Sequence, residues 1–206
     1  AQTWPLEQLE VLVVDNGSVD ATAEMVRSYR AAHPALSLHL LHEPVAGIAR
    51  AKNRGARVAQ GRWLIFLDAD SRMRPNLVAA VVDWGRRGYG AGSIPVIADS
   101  ADLLDRGFFA LLEFGKRLFN IQAQMFFCSR RVYIQLGGFA EELRLAEDRD
   151  FLERVRHAGL PMCRIRASWI ATSPRRLRER PWRLNMLAML FRWALANWGI
   201  GRRWPY

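Results

Sequence analysis

Two rhythms of apolar positions run along the first ninety residues. Val11-Leu-Val-Val14 is a β-branched run cut off by Asp15-Asn16-Gly17-Ser18, which predicts a buried strand ending in a turn. Asp20 is placed to cap a helix over 21–32, with Met25, Val26 and Tyr29 on one face. A second strand is expected over 36–41. A helix then opens at Gly47, runs through Val58 and is closed by Gly61. Trp63-Leu-Ile-Phe-Leu67 is a third strand, ending at Asp68-Ala-Asp70, and Pro75 starts a helix over 76–86.

Strands and helices that alternate in this way predict an α/β fold, doubly wound, with a mainly parallel sheet and flanking helices. Ligands of such sheets bind beyond the carboxyl ends of the strands, where both acidic turns, 15–18 and 68–70, are placed. The second half is less regular. A strand is expected over 91–98, and a helix over 103–122 with Phe108, Leu111, Leu112, Leu118 and Phe119 buried. A short strand follows at 125–128 and a helical turn at 132–136, before Gly137-Gly-Phe139. Residues 147–158 form an amphipathic helix with Phe151, Leu152 and Val155 inward.

Half of the 206 residues are hydrophobic and 24% are charged, enough apolar material for a core and too much for a disordered chain. The net charge of +10 is concentrated at one end. Residues 161–206 hold ten arginines against the single acid Glu179, so the rest of the chain is nearly neutral. A cationic end points to an anionic partner there, a phosphate ligand or an anionic membrane surface, rather than to a nucleic-acid footprint spread over the fold. Cys128 and Cys163 form no CxxC pair, which argues against a disulfide scaffold and for a reducing compartment. The first ten residues lack the basic head and apolar stretch of a signal peptide.

Four stretches carry candidate chemistry. Asp68 and Asp70 stand two apart just past an apolar strand, where a divalent cation relieves the repulsion of like charges. Hard oxygen ligands select Mg²⁺ or Mn²⁺. The same spacing also suits a helix cap with a solvated neighbour. Asp15, Asn16, Gly17 and Ser18 read either as a plain turn or as acceptors and amide donors for a base or ribose. Lys52 and Asn53 reach a phosphate from the second helix, or else belong to a solvated face with Arg50, Arg54 and Arg57. Glu147 and Asp148 open a helix, where the dipole favours acids whatever their function, yet they follow a Gly-Gly turn that allows close approach to a ligand.

In order and spacing, VLVVDNGSVDAT, GIARAKNRGARVAQGRWLIFLDADSRMRP, MFFCSRRVYIQLGGF and LAEDRDFLERVRHAG resemble a family 2 glycosyltransferase of the GT-A fold, over about residues 9–175. The resemblance implies inverting transfer of a sugar from a nucleotide-sugar donor to a glycan, lipid or other hydroxyl acceptor. It implies that Asp15 and Asn16 contact the base, that Lys52 lies near the diphosphate, and that Asp68 lies on the ribose or diphosphate side. It further implies Asp70 as metal ligand and Asp148, of the Glu147-Asp148 pair, as the base. Family members begin with a strand that lines the nucleotide site. None precedes Ala1 here, so two strands are expected to lack their shared neighbour in an N-terminally incomplete domain. Many relatives also place a His after the acidic pair. Thr172-Ser-Pro-Arg-Arg176 stands there instead, which makes Arg175 and Arg176 candidates to hold the diphosphate.

Beyond a transferase domain over 1–180, residues 181–206 are apolar, basic and rich in Trp, the signature of an interfacial helix. Packing on the domain or on another subunit of an oligomer is the other reading. The expected location is cytoplasmic, peripheral at the inner face of the cell membrane. Two other functions fit parts of the sequence. One is a non-catalytic membrane module derived from a transferase. The other is a haloacid-type phosphatase, which expects Thr where Arg72 stands.

Overall fold

The structure, a computed structural model, describes residues 2–118 and 125–178. After a 3₁₀ turn at Leu6–Gln8, β1 (Glu10–Asp15) leads to α1 (Thr22–Ala32), β2 (Ser37–His42) and α2 (Ile48–Val58). Next come β3 (Trp63–Phe66), β4 (Ser71–Met73), α3 (Leu77–Arg86), β5 (Ala91–Ser93) and β6 (Val96–Ala98). Then follow α4 (Leu103–Leu118), β7 (Phe126–Ser129), α5 (Arg130–Gln135), α6 (Glu147–His157), β8 (Met162–Arg164), β9 (Ile170–Thr172) and α7 (Arg175–Arg178). The expected C-terminal helix over 181–206 lies outside the described residues, as does Phe119. No helix among the described residues is long and apolar enough to cross a membrane.

The layered α/β architecture is as expected, but the pairing is mixed rather than mainly parallel. Parallel β1 and β2 form one pair, β3-β7-β5-β8 a second sheet and β4-β9-β6 a third. β7 lies antiparallel to both β3 and β5. Parallel neighbours require a crossover that brings the chain back in the same direction. Between β3 and β7 the chain instead builds β4, α3, β5, β6 and α4, so β7 enters reversed. The single strand expected over 91–98 is two strands in different sheets. Pro95 divides them, having no N–H to give a ladder. Among the described residues β1 pairs only with β2 and β3 only with β7, so the two strands lack a common neighbour.

β7 divides the core. Its alternation sends Phe126 and Cys128 into one cluster with Ala49, Ala56, Leu64, Phe139, Phe151 and Val155. Phe127 goes into the other, with Leu77, Val81, Phe108, Ile165 and Ile170. Phe151, Leu152 and Val155 of α6 point inward as expected. The small residues on the inner face of α2 bring it close to β1, and a Cβ on Gly55 would stand 3.2 Å from Val14 Cγ2. α1 packs loosely, leaving Met25 and Tyr29 60% and 53% exposed.

α4 turns a different face inward than its apolar residues suggest. Phe108 is buried and Leu112 packs on the core, but Leu111 and Leu118 are exposed. The inner stripe instead includes Asp105, Phe109 and Lys116. Asp105 accepts hydrogen bonds from Ser100 Oγ and from the Arg178 guanidinium, and Lys116 is ion-paired with Glu113. These ionic anchors set the rotation of the helix, which hydrophobic periodicity cannot reveal.

Candidate active site

The first acidic turn caps β1. Ser18 N–H donates to Asp15 Oδ1 at 2.9 Å, and hydrogen bonds from the side chain and backbone of Ser18 hold the Asp15 carboxyl below its ordinary range. Gly17 takes φ +80°, which an L side chain resists. Asn16 reaches across to the loop before α2. Its amide donates to Glu43 O and Val45 O, both at 2.8 Å, and its Oδ1 accepts from Gly47 N–H at 2.8 Å. Both amide hydrogens are thereby engaged. Asn16 ties the end of β1 to the start of α2, while Gly17 and Ser18 beside it are exposed.

α2 is the hub of the site. Lys52 Nζ meets Glu147 Oε1 at 2.6 Å and stands over the Phe139 ring, 5.7 Å from its centroid. Burial disfavours its charge, but attraction from Glu147, Asp148 and Asp68 outweighs that and raises its pKa above the ordinary lysine value. One ammonium therefore feels the acidic pair of α6 and the first carboxylate after β3 together. Asn53, expected to bind donor, does something else. It is 1% exposed, and its amide donates to Phe139 O and Glu141 Oε1 at 3.0 Å. Its Oδ1 accepts from Tyr133 OH and Phe139 N–H at 2.9 Å. All four hydrogen-bonding positions are filled, so Asn53 is a structural tie and not a phosphate ligand.

The Gly-Gly turn is held from both sides. Gly138 has φ +79°, and a Cβ there would stand 2.7 Å from Asn53 Oδ1. From α6, Arg154 donates to Leu136 O at 2.8 Å and Gly138 O at 2.7 Å. Ala146, just before the acidic pair, adopts φ 61°, and among the described residues no other non-glycine has positive φ. That left-handed turn aims the first turn of α6, with Glu147 buried and Asp148 half-buried. Arg149 N–H donates to Asp148 Oδ1 at 2.7 Å.

Asp68 and Asp70 are exposed in the turn between β3 and β4. The Asp68 carbonyl accepts from Ser71 N–H at 3.0 Å, and the Asp70 carbonyl accepts from Ser173 N–H at 3.1 Å. Thr172 Oγ1 donates to Asp70 Oδ1 at 3.3 Å. β9 thus sits directly beside the second Asp. Among the described residues no three His, Cys, Asp or Glu are grouped to hold a metal ion. The donor set fits a hard divalent ion that takes its other ligands from phosphate and water. Arg175 is exposed beside this turn, whereas Arg178 turns away to Asp105. The side chain of Arg176 lies outside the described residues.

A sequence model described as glycosyl transferase family 2 matches residues 1–136. The chain belongs to that family. It is 37% identical over 76 residues to the uncharacterized glycosyltransferase YibD of Escherichia coli, an overlap covering 37% of this chain and 21% of YibD. Its fold resembles the mannosyltransferase PcManGT of Pyrobaculum calidifontis, solved with GDP-Man and Mn²⁺, at a TM-score of 0.69 and 24% identity. That likeness covers 95% of this chain and 57% of the other. It also resembles S. aureus TarS 1-349 in complex with UDP-GlcNAc, at a TM-score of 0.68 and 19% identity over 89% of this chain and 54% of TarS. The chain therefore spans about a fifth of YibD and little more than half of the solved chains. The GT-A fold is that of its neighbours, and family membership sets aside the haloacid phosphatase.

In this family 2 chain the family match ends before Glu147 and Asp148, so their place in the site rests on the geometry around Lys52. Sequence reasoning missed Glu141, which pairs with Arg50 at 2.8 Å and Arg57 at 2.7 Å while accepting from Asn53. It also missed Thr172 as the neighbour of Asp70. A signal for Asn53 was available, because it falls with Ala49 and Ala56 on the apolar stripe of α2.

Proposed function

We propose that this protein transfers a sugar from a nucleotide-sugar donor to a hydroxyl acceptor, with inversion at the anomeric carbon and with a divalent cation, Mg²⁺ or Mn²⁺, at Asp68 and Asp70. The observation that carries this reading is the buried ion pair of Lys52 with Glu147 at 2.6 Å, which ties α2 to the acidic first turn of α6 while the charges of Asp148 and Asp68 act on the same ammonium. Asp15 and the turn behind it receive the nucleoside. When bound, the cation supplies charge stabilisation for the departing diphosphate. Asp148 accepts the proton of the acceptor hydroxyl as that oxygen attacks C1, while the nucleoside diphosphate leaves from the opposite face. Glu147, held by Lys52, fixes the first turn of α6 so that the neighbouring carboxylate is aimed at the acceptor.

The complexes of the neighbours with GDP-Man and with UDP-GlcNAc support a nucleotide-sugar donor and leave the nucleotide open between guanine and uracil. Calorimetric titration with UDP and with GDP, each with and without Mn²⁺, tests the reading. Binding of at least one that strengthens with Mn²⁺ supports it. Absence of binding by both with the metal present would overturn it.

A further inference from the structure

α4 buries an aspartate and a lysine while it exposes a stripe of large apolar residues. Leu103, Leu104, Leu111, Phe114 and Leu118 are 78%, 65%, 59%, 62% and 65% exposed. At 3.6 residues per turn they share one side of the helix, opposite Asp105, Phe109, Leu112 and Lys116. Rotating α4 to hide them would break the bonds of Asp105 with Ser100 and Arg178 and the ion pair of Lys116 with Glu113. The inner contacts therefore fix the outward stripe. Four leucines and a phenylalanine together on one helix exceed the scattered apolar exposure of an ordinary surface.

We propose that this outer face of α4 lies on an anionic membrane surface. The argument for lipid rather than protein is charge. Arg106 and Arg117, both exposed and three turns apart, run along one border of the apolar stripe. Apolar residues bordered by arginine are the pattern of an interfacial helix. α4 would thus lie in the interface plane rather than cross it. The surface is separate from the donor site, and its failure would leave the proposed transfer reaction untouched.

Flotation with vesicles of equal parts phosphatidylglycerol and phosphatidylcholine tests the proposal, alongside sedimentation velocity without lipid. The wild type is expected to float, and Leu111→Glu/Phe114→Glu to bind at least roughly tenfold more weakly, with UDP or GDP binding unchanged. Arg106→Gln/Arg117→Gln is expected to weaken binding by roughly tenfold at low salt and by less at high salt. Failure of the wild type to float would overturn the proposal. So would equal binding by the Leu111→Glu/Phe114→Glu variant, which would place the attachment elsewhere in the chain. A wild-type dimer that this variant converts to monomer would also overturn it, in favour of a second copy on the stripe. If the variant melts below the wild type, the milder Leu104→Gln/Leu111→Gln takes its place, and unchanged flotation by that pair is equally decisive.

Discussion

Replacing Lys52 by Met removes a charge at the meeting point of three elements and keeps the length of the side chain. The Glu147 side chain is 6% exposed and that of Lys52 is 16%, and their charged atoms are 2.6 Å apart. Taking one partner from a buried pair leaves the other dehydrated and unmatched, which costs about 3–5 kcal/mol. Partial exposure of Lys52 favours the lower end, and the lost contact with Phe139 adds about 0.5–1 kcal/mol. A loss near 3 kcal/mol moves the urea midpoint down by roughly 1–3 M, for a slope of about 1–3 kcal/mol per molar. Tryptophan fluorescence follows the transition. Lys52→Met/Glu147→Gln removes both charges and is expected to recover most of the loss. The folded pKa of Lys52 is raised, so its contribution is fully present below the unfolded lysine value and is lost only as pH climbs through the folded one. The difference between wild type and Lys52→Met is therefore constant from neutral pH to pH 9 and shrinks in strong alkali. A single-variant loss within about 1 kcal/mol, or a double variant no more stable than Lys52→Met, would refute a buried, strongly coupled pair.

Asp148→Asn is expected to lower turnover by about 10²–10⁴-fold with donor affinity unchanged, as steady-state kinetics and calorimetry together would register. An equal loss of affinity would make Asp148 a binding residue. Ala146→Gly relieves a left-handed backbone and is expected to raise stability by up to about 1 kcal/mol in urea, and a loss would mean the turn is unstrained. Burial pushes the Cys163 thiol up to about 12 and that of Cys128 higher still. Both are therefore expected to resist a thiol reagent at pH 8 until denaturant is added, and prompt reaction in the native protein would place a cysteine at the surface.

The strands and helices of the first half were legible because each apolar run ends in its own punctuation: Gly17 after β1, Gly61 after α2, the Asp pair after β3. The short strands β4, β8 and β9 were not. Three residues are too few to display a period, and their pairing across the fold alone makes them strands. The reversal of β7 is likewise non-local, and the rotation of α4 depends on two buried ionic side chains whose partners, Ser100, Arg178 and Glu113, only the tertiary structure assembles. At the site, the acidic residues were visible from spacing. Their wiring was not, because an amide reads the same in sequence whether it faces a ligand or, as Asn53 does, a buried carbonyl.

Metal-assisted departure of a nucleoside diphosphate at Asp70 is the step on which the proposed transfer stands or falls. It is tested most directly by measuring diphosphate release from a panel of UDP- and GDP-sugars, with and without Mn²⁺, for the wild type and Asp70→Asn side by side. Asp70 is exposed, so the substitution is expected to leave the fold within about 0.5 kcal/mol of wild type. The expected result is Mn²⁺-dependent release from at least one donor by the wild type and near-complete loss in Asp70→Asn. Release that is independent of metal, or that survives in the variant, would contradict it.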